Sequence, residues 1–171
     1  MTKNIKALLG PTLCDVLEEH PDKPWDYSAL SSNPSLTGHY IESHLNKPWD
    51  WKHLSANPAI TWNIVESNPT KPWDWGALSA NPSIGWETIQ NNPHKPWRWW
   101  DVSRNPSITW DIVKSNLNYT WYWGYLSMNP SITPEIIEAN PTMKRPEPGF
   151  RLRDVFLQLL FLESLAGSPA F

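Results

Sequence analysis

Residues 57–82 read NPAITWNIVESNPTKPWDWGALSANP. The stretch opens and closes on Asn-Pro, holds a third Asn-Pro at Asn68-Pro69, and carries Trp62, Trp73 and Trp75. In both directions the same words return at a step of 24 residues. Lys-Pro-Trp begins at Lys23, Lys47, Lys71 and Lys95, and Tyr119-Thr120-Trp121 fills the next slot. A second aromatic follows at Tyr27, Trp51, Trp75, Trp99 and Trp123, and an aliphatic at Leu30, Leu54, Leu78, Val102 and Leu126. Asn-Pro recurs at Asn33, Asn57, Asn81, Asn105 and Asn129. A second Asn-Pro register holds at Asn68, Asn92 and Asn140 and weakens to His20-Pro21, His44-Leu45 and Asn116-Leu117. A period held this long without insertions marks tandem repeats, each burying its apolar face against its neighbours.

Each unit reads as two short helices of about 7–9 residues, below the ~12–15 that an isolated helix needs. In Thr61–Pro69 the threonine is an N-cap, and Asp15, Glu87, Asp111 and Glu135 place an acid in the first turn of sister copies. Pro134 directly follows Thr133, as suits a first helical position. The helix ends at Asn-Pro because a residue before proline is pushed out of the α region. In Lys71–Pro82, Pro72 is expected at the first helical position with Asp74 in the first turn. The apolar stripe then pairs Trp73 with Ala77 and Trp75 with Leu78. Strands are excluded, since a proline every ~10 residues would interrupt any ladder.

The 13 tryptophans and 18 prolines in 171 residues make sense on this reading. A Trp buries about 150–250 Å², enough to hold helices too short for a leucine core. Trp62, Trp73, Trp86 and Trp97 are therefore expected to be mostly buried. The recurrent asparagines are expected to close helices, bond to free backbone groups and bond to one another along the stack. Cys14 falls in the slot of Trp62, Trp86 and Trp110 and reads as core filler.

The remaining features narrow function mainly by exclusion. A net charge of −3 gives no basic footprint for nucleic acid. One cysteine excludes an internal disulfide and suits a reducing compartment. MTKNIKALLGPTL lacks the apolar run of a secretory signal, and no stretch reaches the ~20 apolar residues of a membrane span. His39 and His44 are off the four-residue step of a paired metal site, and His20, His53 and His94 lie elsewhere. Ser31, Ser55, Ser79, Ser103 and Ser127 recur as a set, which suits structure rather than a nucleophile. No Gly-rich phosphate loop is present, and Asn118-Tyr119-Thr120 is only a formal glycosylation sequon. No metal, cofactor or enzymatic activity is expected.

Functional residues are sought where the copies differ. Three slots of the KPW segment vary: Ser28, Lys52, Gly76, Trp100, Gly124; then Ala29, His53, Ala77, Asp101, Tyr125; then Ser32, Ala56, Ala80, Arg104, Met128. Trp100 and Arg104 share a helical face, and Trp, Tyr, Arg and Met are enriched at interfaces. The candidate binding residues are Lys52, His53, Trp100, Asp101, Arg104, Tyr125 and Met128, all taken to lie on the surface.

After Pro141 the repeat gives way to TMKRPEPGF and then to RLRDVFLQLLFLESLAGSPAF. Residues 1–142 thus form five to six repeats, and residues 143–171 a linker and an apolar helix. That helix, apolar on more than one face, reads as a cap on the terminal repeat or as a self-association element through residues 151–165.

The pattern NPxITWDIVxxNPxKPWDWxxLSxNP, carried here by Ile60–Trp62, Lys47–Trp51 and Leu78–Pro82, resembles tandem repeats in proteins of mimivirus-like giant DNA viruses. The resemblance covers about residues 12–142, with departures at Arg98, Tyr119, Thr120 and Pro134. It implies a viral protein in the host cytoplasm or the virion and implies no activity. The expectation is an all-α protein, an α-solenoid of two-helix repeats with a C-terminal capping helix. It is expected to act as a non-enzymatic scaffold for a host or viral protein partner. Carbohydrate binding by a Trp ladder and a structural role in a viral particle are the alternatives.

Overall fold

The structure, a computed structural model, describes residues 10–139. The expected linker and apolar helix of residues 143–171 lie outside the described residues. The described chain is all-α and contains no strand. Its helices are Leu13–Glu19, Tyr27–Ser31, Gly38–Ser43, Trp51–Ala56, Trp62–Ser67, Trp75–Ala80, Trp86–Asn91, Trp99–Ser103, Trp110–Ser115, Trp123–Leu126 and Pro134–Ala139. They alternate between an ITW type, beginning after the Thr slot, and a KPW type, beginning after the Lys-Pro-Trp slot. The chain parts into two compact units between Leu78 and Ser79.

The ITW helices start and stop where the sequence places them. Thr12, Thr37 and Thr109 cap their helices with side-chain oxygens, and Thr12 forms a full capping box with Asp15. Thr61 and Gly85 hold the same extended backbone without a side-chain bond. Pro134 opens the last helix, as its fixed φ favours. The ends correct the proline argument. His44 and Asn116 are followed by leucine, yet both helices stop there. The stop comes instead from the C-cap side chain. Asn68, Asn92 and Asn116 each donate Nδ2 to the carbonyl four residues back, at 2.8–2.9 Å. In His44 the ring Nδ1 does the same to Tyr40 at 2.8 Å.

The KPW helices begin later than expected. Lys-Pro-Trp lies outside the helix, and the following aspartate is the N-cap rather than a first-turn residue. Asp26 accepts from the Ser28 and Ala29 amides, Asp50 from His53 and Asp74 from Ala77. Those amide bonds hold the Asp50 carboxyl below the usual aspartate range, with the His53 side chain adding to the effect. The helices also run only 4–6 residues.

Displacing Lys-Pro-Trp from the helix gives its Trp a second job. Each indole N–H donates to the C-cap carbonyl of the preceding ITW helix: Trp25 to His20, Trp49 to His44, Trp73 to Asn68, Trp97 to Asn92 and Trp121 to Asn116, at 2.8–2.9 Å. One side chain thus fills the core and satisfies a helix-end carbonyl. Trp49, Trp73, Trp97 and Trp121 are buried. Trp62 and Trp86, expected to be buried with them, are only half-buried. They sit at the first position of the ITW helix, where the inner face is taken by the aliphatics that follow, Ile64 and Val65 or Ile89. Gly38 occupies the same slot one copy earlier, and a Cβ there would lie 2.8 Å from the Ala59 carbonyl oxygen. In that copy the backbone itself makes the contact.

Two polar ladders join successive copies. In the first unit, Asn57 Nδ2 donates to the Ser31 and Asn33 carbonyls, both at 3.0 Å, while its Oδ1 accepts from the Ala59 amide. In the second, Asn105 Nδ2 lies 2.9–3.1 Å from the Ser79, Asn81 and Ile84 carbonyls. Asn129 repeats this on Ser103, Asn105 and Ile108. The serines form the other ladder. Ser31 Oγ accepts from the Asp50 amide, Ser55 from Asp74, Ser79 from Arg98 and Ser103 from Tyr122, at 2.9–3.0 Å. All four serines are fully buried. These four recurrent serines supply acceptors to backbone amides of the next copy.

Candidate functional site

Five of the seven candidate residues lie in the second unit, on and beside the helices Trp99–Ser103 and Trp123–Leu126. Trp100, Tyr125 and Met128 are 37%, 39% and 65% exposed and are the large hydrophobic side chains left exposed among the described residues. Each comes from a slot where the copies differ. Lys52 and His53 belong to the first unit; both are exposed, and His53 Nδ1 lies 2.9 Å from Asp50 Oδ2.

Asp101 corrects the expectation of a surface residue, being only 3% exposed. The reason is the cap exchange in this copy. Arg98 stands in the slot held by Asp26, Asp50 and Asp74, and caps its helix without a side-chain bond. The acid has moved three residues on and turned inward, where two arginines clamp it. Arg104 Nε donates to Asp101 Oδ1 at 2.8 Å, and Nη2 lies 2.5 Å from the same oxygen. Arg98 Nε lies 3.1 Å from Oδ2, close enough for an ion pair but off the line of a hydrogen bond, so Oδ2 makes none. Arg104 is therefore both exposed and structural. Replacing it would strip a buried carboxylate of a partner, a loss that is costly in itself.

The aromatic side chains are arranged around this clamp. The Arg98 guanidinium lies over the Trp100 ring, 5.0 Å from its centroid. Trp100 meets Tyr122 edge to face at 6.0 Å, and Tyr122 meets Tyr125 the same way at 6.4 Å. Arg98 and Tyr122 were not among the candidates. Their signal was present, since both replace the capping Asp of the KPWD word.

A second feature lies in the same unit. In the first unit the KPW lysine lies over the second aromatic of the preceding copy, Lys47 over Tyr27 and Lys71 over Trp51, at about 6 Å. Tyr119 replaces this lysine and stacks on Trp99 at 4.9 Å with 29° between the planes. Beside the pair is a cavity of about 260 Å³ lined by Lys95, Trp97, Trp99, Asn118, Tyr119 and Thr120, among others.

Among the described residues no group of three or more His, Cys, Asp or Glu is placed to hold a metal ion, and no helix is long and apolar enough to cross a membrane. Cys14 is half-buried, with Sγ 3.7 Å from Thr37 Oγ1. No protein-family model, curated protein or solved structure matches the chain.

Proposed function

We propose that the protein is a non-enzymatic repeat scaffold that binds a protein partner through the face bearing Trp100, Tyr122, Tyr125 and Met128. On this reading the copies continue as an α-solenoid, a viral repeat protein acting in the host cytoplasm or the virion. The observation that carries it is the coincidence of variability and exposure. The slots that differ between copies hold the large apolar side chains left in water, while the recurrent KPW tryptophans from Trp49 on and the aliphatics that follow them are buried in the core. A protein that needed Trp100 only for folding would bury it as it buries Trp97 and Trp121.

The test replaces Trp100, Tyr125 and Met128 together by alanine. Arg104 is left in place because of its hold on Asp101. The triple variant is expected to melt close to the parent, since exposed substitutions cost about 0.5 kcal/mol or less each. In pull-downs from host or infected-cell lysate it should lose partner recovery at least tenfold, as interface anchors do. Equal recovery by parent and folded variant would remove this face from consideration.

Carbohydrate binding is the second reading, and the cavity beside Trp99 and Tyr119 favours it. A stacked aromatic pair edged by Asn118, Thr120 and Lys95 offers an apolar ring face with polar groups at its rim. Titration with soluble glucan and chitin oligosaccharides should then change Trp emission saturably, and Tyr119→Ala should abolish the change. A flat titration in the parent protein would dismiss it.

A further inference from the structure

The geometry points to an acidic peptide segment, one carboxylate beside a large apolar side chain, as what the Arg98–Trp100–Tyr122 surface receives. This inference rests on the protein-binding reading of the same face and names the partner's chemistry.

Charge comes first. Asp101 is buried between Arg98 and Arg104, whose side chains remain 47% and 41% exposed. Two guanidiniums against one carboxylate leave one positive charge, presented at the surface. That suits a single carboxylate; a phosphate, carrying about −1.5 to −2 near neutral pH, would be under-compensated.

Orientation comes second. Arg98 turns its Nε edge to Asp101 and holds its guanidinium carbon over the Trp100 ring, 5.0 Å from the centroid. Both Nη groups have no protein acceptor among the described residues. They present the paired N–H donors that match the two oxygens of a carboxylate. The cation–π contact with Trp100 and the ion pair with buried Asp101 hold this fork in place before a ligand arrives, so less side-chain freedom is lost on binding.

Apolar surface comes third. Trp100, Tyr122 and Tyr125 continue from the fork as a chain of rings, each meeting the next edge to face. A leucine or aromatic side chain next to the ligand carboxylate would cover them. The same slots in other copies, Lys52 and His53 or Gly76 and Ala77, lack this combination of fork and rings, which localises the site to one place in the repeat array.

The test is selection of a random twelve-residue peptide display library on the full chain, followed by affinity measurement on the best synthetic peptide. The expected pool is enriched in Asp or Glu within two positions of Leu, Phe, Tyr or Trp. Changing that peptide's Glu to Gln, or its Asp to Asn, should weaken binding at least tenfold, and raising salt from 50 to 500 mM should weaken it further. Arg98→Lys keeps the charge but loses the fork and should also weaken binding. Should Arg98 variants fold poorly, the peptide substitution still decides, because it leaves the protein untouched. Enriched peptides that lack an acid, yet lose binding to Trp100→Ala, would overturn the acidic-partner inference and leave the protein-binding face standing. Enriched peptides that bind Trp100→Ala and the parent equally would overturn both, as would a library that yields no binder.

Discussion

Trp121→Ala is expected to destabilise the protein by about 3–5 kcal/mol, the range for truncating a buried large aromatic. In a unit of this size that corresponds to a fall in melting temperature on the order of 20 °C. Trp121 is completely buried, with Trp86 and Trp99 ring centroids each 5.6 Å away. Truncation would open a cavity among rings that are themselves only half-buried, so water would reach the core. It would also free the Asn116 carbonyl, which accepts the indole N–H at 2.9 Å. Trp121→Phe separates the two effects. It keeps most of the ring and removes the donor, and should cost about 1–3 kcal/mol, the cost of leaving a buried acceptor unpaired plus the lost volume. Thermal melts of the two variants against Trp100→Ala, a Trp change at an exposed site, make the comparison. A Trp121→Ala protein that melts within a few degrees of the parent would refute the core role.

Asn105→Asp, a change of one atom type, should cost about 3–5 kcal/mol at neutral pH. The Asn105 amide is fully buried, and its Nδ2 faces three carbonyl oxygens within 3.1 Å. Its Oδ1 accepts from the Ser107 amide and hydroxyl at 2.9 and 2.8 Å. An ionised carboxylate is acceptor-only, so the aspartate would set a negative oxygen against those three carbonyls in a buried site. Each unsatisfied group costs about 1–3 kcal/mol, and more when charged. The sign of the pH dependence follows. The carboxyl's folded-state pKa would be raised above the ordinary ~3.9, because burial and the facing carbonyls favour the neutral acid. The protonated variant therefore keeps its stability below about pH 4 and loses it as pH rises through the raised folded-state value. Urea melts at pH 3.5 and pH 7 should show a larger deficit, relative to parent, at the higher pH. A deficit that does not change with pH would mean that the amide is not the donor bridging these copies.

Much of the architecture is legible in residue order alone. The 24-residue recurrence, the threonines before each ITW helix and Pro134 after Thr133 locate the helices, because periodicity, capping and proline chemistry act over a few neighbouring residues. The variable slots likewise led to Trp100, Tyr125 and Met128, since a position that accepts Ser, Gly or Ala in another copy has no fixed large side chain in the core. The local rules failed where a competing partner came from another copy. Proline at a first helical position is a reasonable expectation for Lys-Pro-Trp, yet the aspartate cap wins and leaves the Trp to span to the preceding helix end. Asp101 reads as a surface acid, but Arg98 and Arg104 draw it inward. Ser31, Ser55, Ser79 and Ser103 read as a recurrent structural set with no assigned partner. Their role depends on amides 19 residues later in the chain, just as each ladder asparagine depends on carbonyls 24 and 26 residues earlier. Such bonds exist only after the copies have stacked. The repeat period and the starts of the ITW helices are therefore properties of the sequence. Which tryptophan is core, which acid is buried and which arginine edge faces solvent are decided by packing, where each buried donor must find an acceptor on a neighbouring copy.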